Sequence, residues 1–132
     1  MITEQKAEQI AREWIEAWNH HDLDAIIAHY ANNVEFTSPF VVKLLGNPSG
    51  TIKRKEALRF YFGKALAAYP DLKFDLIQVL TGVDSVTVYY RSVKGMMAAE
   101  VMMLNSNGEI TKVMAHYGKI NSRLIYSNLF RI

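Results

Sequence analysis

The hydrophobic period changes at Asp71, and that change limits what the chain can fold into. Before it, apolar residues recur at helical spacing. Ala7, Ile10, Ala11, Trp14, Ile15 and Trp18 lie on one stripe of a helix over Thr3–Trp18, with Thr3 as N-cap. Asn19-His-His breaks that helix, and Asp22 caps a second one over Leu23–Tyr30. Asn32-Asn33 signals a turn, and Val34–Thr37 reads as a short strand ending before Pro39. Phe40–Gly50 reads as an apolar loop, packed on the domain or acting as a lid. A third helix is expected from Lys53 to Ala68, with Leu58, Tyr61, Phe62, Ala65 and Leu66 inward. After Asp71 the period is two, which predicts strands over Leu72–Thr81, Ser85–Val93, Met96–Ser106 and Glu109–Gly118. Their short connections, among them Lys94-Gly95 and Asn107-Gly108, imply an antiparallel meander.

One domain accounts for 132 residues, of which half are hydrophobic. We read 1–118 as that domain and 119–132 as a tail, an added edge strand or a dimer contact. The net charge of +2 is too small to suggest nucleic acid or an anionic membrane as partner. The absence of cysteine removes disulfide and thiolate chemistry. No apolar run approaches the ~20 residues of a membrane helix, and the start has no leader-like character. A cytoplasmic location is therefore expected.

The chemistry centres on Glu100, set in the apolar run Met96-Met-Ala-Ala-Glu-Val-Met-Met-Leu104. An ionised carboxylate there is costly unless paired or neutralised. Two-residue turns at Lys94-Gly95 and Asn107-Gly108 place Tyr89 and Ala115 opposite Glu100, Arg91 opposite Ala98, and Met102 opposite Val113. One face then carries Thr87, Tyr89, Arg91, Ala98, Glu100, Met102, Val113, Ala115 and Tyr117. The other carries Val88, Tyr90, Ala99, Val101, Met103, Met114 and His116. Both faces are largely apolar, so helices cover one and a second copy of the chain is expected on the other, as a homodimer. Glu100 is either an Arg91-paired structural carboxylate or the polar anchor of a ligand cavity. The small neighbours Ala98 and Ala115 favour a cavity. Without Arg91 in reach, its pKa should be raised. The four histidines, His20, His21, His29 and His116, show no metal-ligand spacing, so no metal or other cofactor is expected.

The order of elements resembles the NTF2-like superfamily, an α+β cone of cystatin-like type. Trp18-Asn-His-His-Asp-Leu-Asp-Ala-Ile resembles its helix-turn-helix signature. Tyr30-Ala-Asn-Asn-Val-Glu-Phe-Thr-Ser-Pro resembles its first strand, and Gly50–Lys64 and Asn107-Gly-Glu-Ile follow the same scheme. The similarity spans about Thr3–Gly118 and within the superfamily is nearest the SnoaL-like group and the ketosteroid isomerases. It implies three N-terminal helices packed on a curved antiparallel sheet around a cone-shaped cavity. Trp14, Trp18, Tyr30, Phe36, Ser38, Tyr61, Phe62, Met102 and Tyr117 are the expected ligand-binding residues. Glu100, Tyr89 and Arg91 are the expected catalytic or anchoring ones.

The isomerase machinery carries over only in part. The position of the family's aspartate base holds Ser38, and that of its oxyanion-hole tyrosine holds Trp14. Its protonated-aspartate donor matches Glu100, and a supporting tyrosine matches Tyr61. The position of the SnoaL-type cyclase aspartate holds Ala115, and Arg91 with Glu100 supplies only part of the Asp-Arg-Asp set of limonene epoxide hydrolase-like members. The reading is therefore a small-molecule-binding protein for a hydrophobic ligand anchored at Glu100. Its alternatives are an isomerase, dehydratase or hydrolase acting on a hydrophobic cyclic substrate with Glu100 as general acid or base, and an interaction module using the outer sheet face and tail.

Overall fold

Residues 1–118 are described by a computed structural model of the chain. The tail expectation for 119–132 lies outside the described residues. Thr3 caps α1 (Glu4–Asn19), its side chain accepting from the Lys6 N–H. The stripe read from the sequence is buried, from Ala7 to Trp18. Asp22 caps α2, which is shorter than expected, Leu23–Ile27. Tyr30, expected at the end of that helix, instead opens β1 (Tyr30–Thr37).

The segment expected to be a loop begins with a helix, α3 (Pro39–Leu45). Ser38 is its N-cap, Pro39 occupies the first turn, and Gly46 ends it at φ 66. Thr51–Lys53 forms β2, antiparallel to β1, and α4 runs over Lys55–Ala68. The four helices all precede the meander of β3 (Asp75–Thr81), β4 (Ser85–Arg91), β5 (Met97–Leu104) and β6 (Ile110–Tyr117).

The strands form one six-stranded sheet in the order β2-β1-β6-β5-β4-β3. All neighbours are antiparallel except β1 and β6, which run parallel. Irregularities between Leu76 and Gln78 and between Met103 and Leu104 bend the sheet. Helices α1 and α4 pack on one face, and the core between holds Trp14, Tyr30, Leu58, Val88, Tyr90 and Met102. No helix of the described residues is long and apolar enough to cross a membrane.

The β5–β6 register is as read from the sequence, pairing Glu100 with Ala115, Met102 with Val113 and Ala98 with Tyr117. The β4–β5 register differs by one residue. Val88, not Tyr89, is opposite Glu100, and Tyr90, not Arg91, is opposite Ala98. The connection is a 3₁₀ turn over Val93–Gly95, closed by the Ser92 N–H donating to the Met96 carbonyl. Lys94 and Gly95 both take positive φ, 58 and 73. That longer turn moves every β4 side chain to the opposite face.

Candidate functional site

The flipped register brings Tyr90 to Glu100 and removes Tyr89 and Arg91 from it. Both of the latter are exposed on the outer face. Glu100 is 4% exposed, and no cationic side chain is paired with it among the described residues. The Tyr90 hydroxyl donates to Glu100 Oε1 at 2.7 Å. Glu100 Oε2 is buried without a hydrogen-bond partner. Burial pushes the carboxyl up to about 7, and the Tyr90 hydrogen bond acts in the opposite direction.

Phenols surround this carboxyl. Tyr90, Tyr117, Tyr61 and Tyr30 are all raised above the usual tyrosine range, chiefly by burial and then by the Glu100 charge. They therefore stay protonated at neutral pH.

A cavity of about 80 Å³ lies against this group. Glu100, Tyr90 and Tyr117 form its polar side. Trp18, Phe36, Tyr61 and Phe62 form an aromatic wall, joined by Phe40 from α3 and by Phe74. The wall is packed ring against ring: Trp18 meets Phe62 edge-on at 4.9 Å between centroids, and Phe74 lies 4.7 Å from Tyr90. Ala65, Tyr69, Leu72, Ser92 and Val93 complete the lining. Tyr69, Leu72, Ser92 and Val93 also line an outer groove of about 310 Å³ beside Asp71, Lys73 and Lys94. At about 80 Å³ the cavity itself is below the roughly 300–1,000 Å³ of small-molecule sites, and the groove beside it, at about 310 Å³, reaches the lower end of that range.

Local sequence explains how the wall is held. Asn19, just after the Trp18 turn of α1, clamps Phe74 by its backbone. Its Nδ2 donates to the Phe74 carbonyl at 2.9 Å, and the Phe74 N–H donates to Asn19 Oδ1 at 2.7 Å. His21 Nε2 reaches the Leu72 carbonyl at 2.8 Å. The Asn19-His-His segment thus ties α1 to the segment that enters β3, which carries the lining residues Leu72 and Phe74.

Of the residues singled out from the sequence, Glu100, Trp18, Phe36, Tyr61, Phe62 and Tyr117 come together at the cavity. Trp14, Tyr30 and Met102 do not line it. They are fully buried in the core behind it, and the Trp14 Nε1–H donates to the Tyr30 hydroxyl at 2.9 Å. Ser38 is buried at the N-cap of α3, where its Oγ accepts from the Phe40 N–H at 3.2 Å. Phe40, Phe74 and Tyr90 escaped the sequence reading. Tyr90 was missed because a turn longer than two residues puts it, and not Tyr89, on the face of Glu100. A second orphan group sits in the lining: Trp18 Nε1 is buried with no acceptor. Among the described residues no group of three or more His, Asp or Glu side chains is placed to hold a metal ion.

Comparison with known proteins places this geometry among relatives. The SnoaL-like domain matches residues 11–116. A SnoaL-like protein of unknown function from Burkholderia thailandensis E264 is 47% identical, with a TM-score of 0.87 over 89% of this chain and 98% of that one. An NTF2-like protein of unknown function from Cytophaga hutchinsonii ATCC 33406 is 19% identical, with a TM-score of 0.70 over 96% and 99%. The epoxide hydrolase/cyclase-like enzyme SalBIII, of pyran ring formation in salinomycin, is 23% identical, with a TM-score of 0.72 over 90% and 95%. The last two show the fold. No curated protein matches the chain.

Proposed function

The chain belongs to the SnoaL-like domain family, and from that premise we propose that it binds a small, mainly apolar molecule through a polar group held by Glu100. One observation carries this reading: a carboxyl in an aromatic cavity has one oxygen bound by Tyr90 and the other without a partner. An unsatisfied buried polar atom costs about 1–3 kcal/mol, so a ligand that supplies the missing partner recovers that energy. The aromatic wall supplies the apolar contact. Titration of cyclohexanol by calorimetry tests the reading. Glu100→Ala should weaken its binding about tenfold, the worth of one such hydrogen bond, while the fold persists. Unchanged affinity per folded molecule contradicts it.

A second reading is favoured by the near-neutral carboxyl. A group poised near 7 beside protonated phenols suits general acid–base chemistry, such as isomerisation, dehydration or hydrolysis of a hydrophobic cyclic substrate. Exchange of the α-protons of cyclohexanone in D₂O, followed by NMR, checks it. The protein should accelerate exchange and Glu100→Gln should not.

The outer sheet face supports a homodimer. Leu80, Tyr89, Met103 and Met114 are exposed there, and the row Leu80, Thr87, Val101, Met114 crosses four strands. A second copy of the chain covers this apolar face in the proposed assembly.

A further inference from the structure

The cavity beside Glu100, at about 80 Å³, is smaller than a molecule with one ring requires. A dry cavity that takes up benzene measures about 150 Å³. Part of the wall must therefore move when a ring enters, because a packed interior does not stretch evenly. Most of the wall is fixed by its neighbours. Trp18 packs on Phe62 and Phe74, and Phe36 meets both Tyr61 and Phe62. Tyr90 is hydrogen-bonded to Glu100, and the backbone of Phe74 is clamped by Asn19.

Phe40 is held differently. Among the described residues its ring meets one other, that of Tyr117, edge-on at 4.6 Å. With Met96 it forms a small apolar cluster apart from the main core. It stands in the first turn of α3, a helix of seven residues. That helix hangs from a closed base. The Ser38 N–H donates to the Gly50 carbonyl at 2.9 Å, and the hydroxyls of Thr37 and Thr51 share a hydrogen bond at 2.7 Å. Phe40 and Val41 bury their side chains against the body, while Val42 and Leu45 face solvent. Of the rings around the cavity, Phe40 therefore gives up least on leaving its place.

We infer that Phe40 is the movable wall of the site. α3 swings on its Ser38–Gly50 base, the Phe40 ring leaves Tyr117, and the space it vacates joins the cavity. The exchange is ring for ring, so the ligand admitted is a molecule with a single apolar ring. This rests on the binding function proposed above and adds the way in and the size of the ligand.

The test uses cyclohexanol, because a fixed wall and a movable one predict opposite signs. Removing a fixed wall weakens binding. Removing a ring that the ligand must displace strengthens it, by about two- to tenfold, the worth of one edge-on aromatic contact. Calorimetry should therefore find that Phe40→Ala binds cyclohexanol more tightly than the wild type. Phe40→Leu, which disturbs the fold less, should shift affinity in the same direction. A readout that needs no variant is the nuclear Overhauser contact between the rings of Phe40 and Tyr117, present in the free protein and lost at saturation with cyclohexanol. Equal or weaker binding by both variants, or a Phe40–Tyr117 contact that survives at saturation, overturns this inference alone. Absence of binding in the wild type and both variants overturns the binding function, and this inference with it.

Discussion

The Tyr90 hydroxyl donates to Glu100 Oε1 at 2.7 Å, and it is the one hydrogen bond the carboxyl receives within the described residues. A hydrogen bond to the charged form lowers a carboxyl pKa, and burial here raises it by more. Tyr90→Phe removes the lowering influence and keeps the ring. The Glu100 pKa, followed by carboxyl NMR titration, should rise above its wild-type value. A fall would mean that the phenol destabilises the carboxylate.

Glu100 also makes stability depend on pH. Its folded pKa, about 7, exceeds the ordinary 4.5, so the folded state binds the proton more tightly. The contribution is fully present below pH 4.5 and is lost as pH rises through 7. A shift of that size corresponds to about 3 kcal/mol. Urea unfolding should show the wild type losing stability between pH 5 and pH 8. Glu100→Gln should lose that fall and keep only the opposite, smaller rise due to His29, whose pKa burial lowers.

The Trp14–Tyr30 pair belongs to the core behind the cavity. Tyr30→Phe leaves the Trp14 N–H buried without an acceptor, which should cost about 1–3 kcal/mol in chemical unfolding. Cyclohexanol binding should be unaffected, because neither residue lines the cavity.

The β5–β6 half of the site was legible because Ala98, Glu100 and Met102 alternate strictly and Asn107-Gly108 marks the turn. The observed hairpin closes differently, with the Gly108 N–H on the Asn105 carbonyl, and the irregularity after Met103 restores the expected pairing. The β4 half was not legible. Both Tyr89 and Tyr90 suit a strand, and the length of the turn over Val93–Gly95 decides which faces Glu100. Helix α3 was hidden by its length, although Ser38-Pro39 is a good start and Gly46 a good stop. The parallel pairing of β1 with β6 joins residues about eighty positions apart, and nothing local announces it.

The outer face gives an assembly prediction. Light scattering after gel filtration should report two chains for the wild type. Met114→Lys places a charge at the β6 end of that row and should yield one chain with the fold intact. A wild type of single-chain mass contradicts the proposed dimer.

The most direct measurement is a crystal structure of the protein soaked with cyclohexanol. The account predicts the ring against Phe74 and Phe62, with its hydroxyl roughly 2.6–3.0 Å from Glu100 Oε2. A closed core without the molecule, or a ring bound elsewhere while Oε2 stays unpartnered, would contradict it.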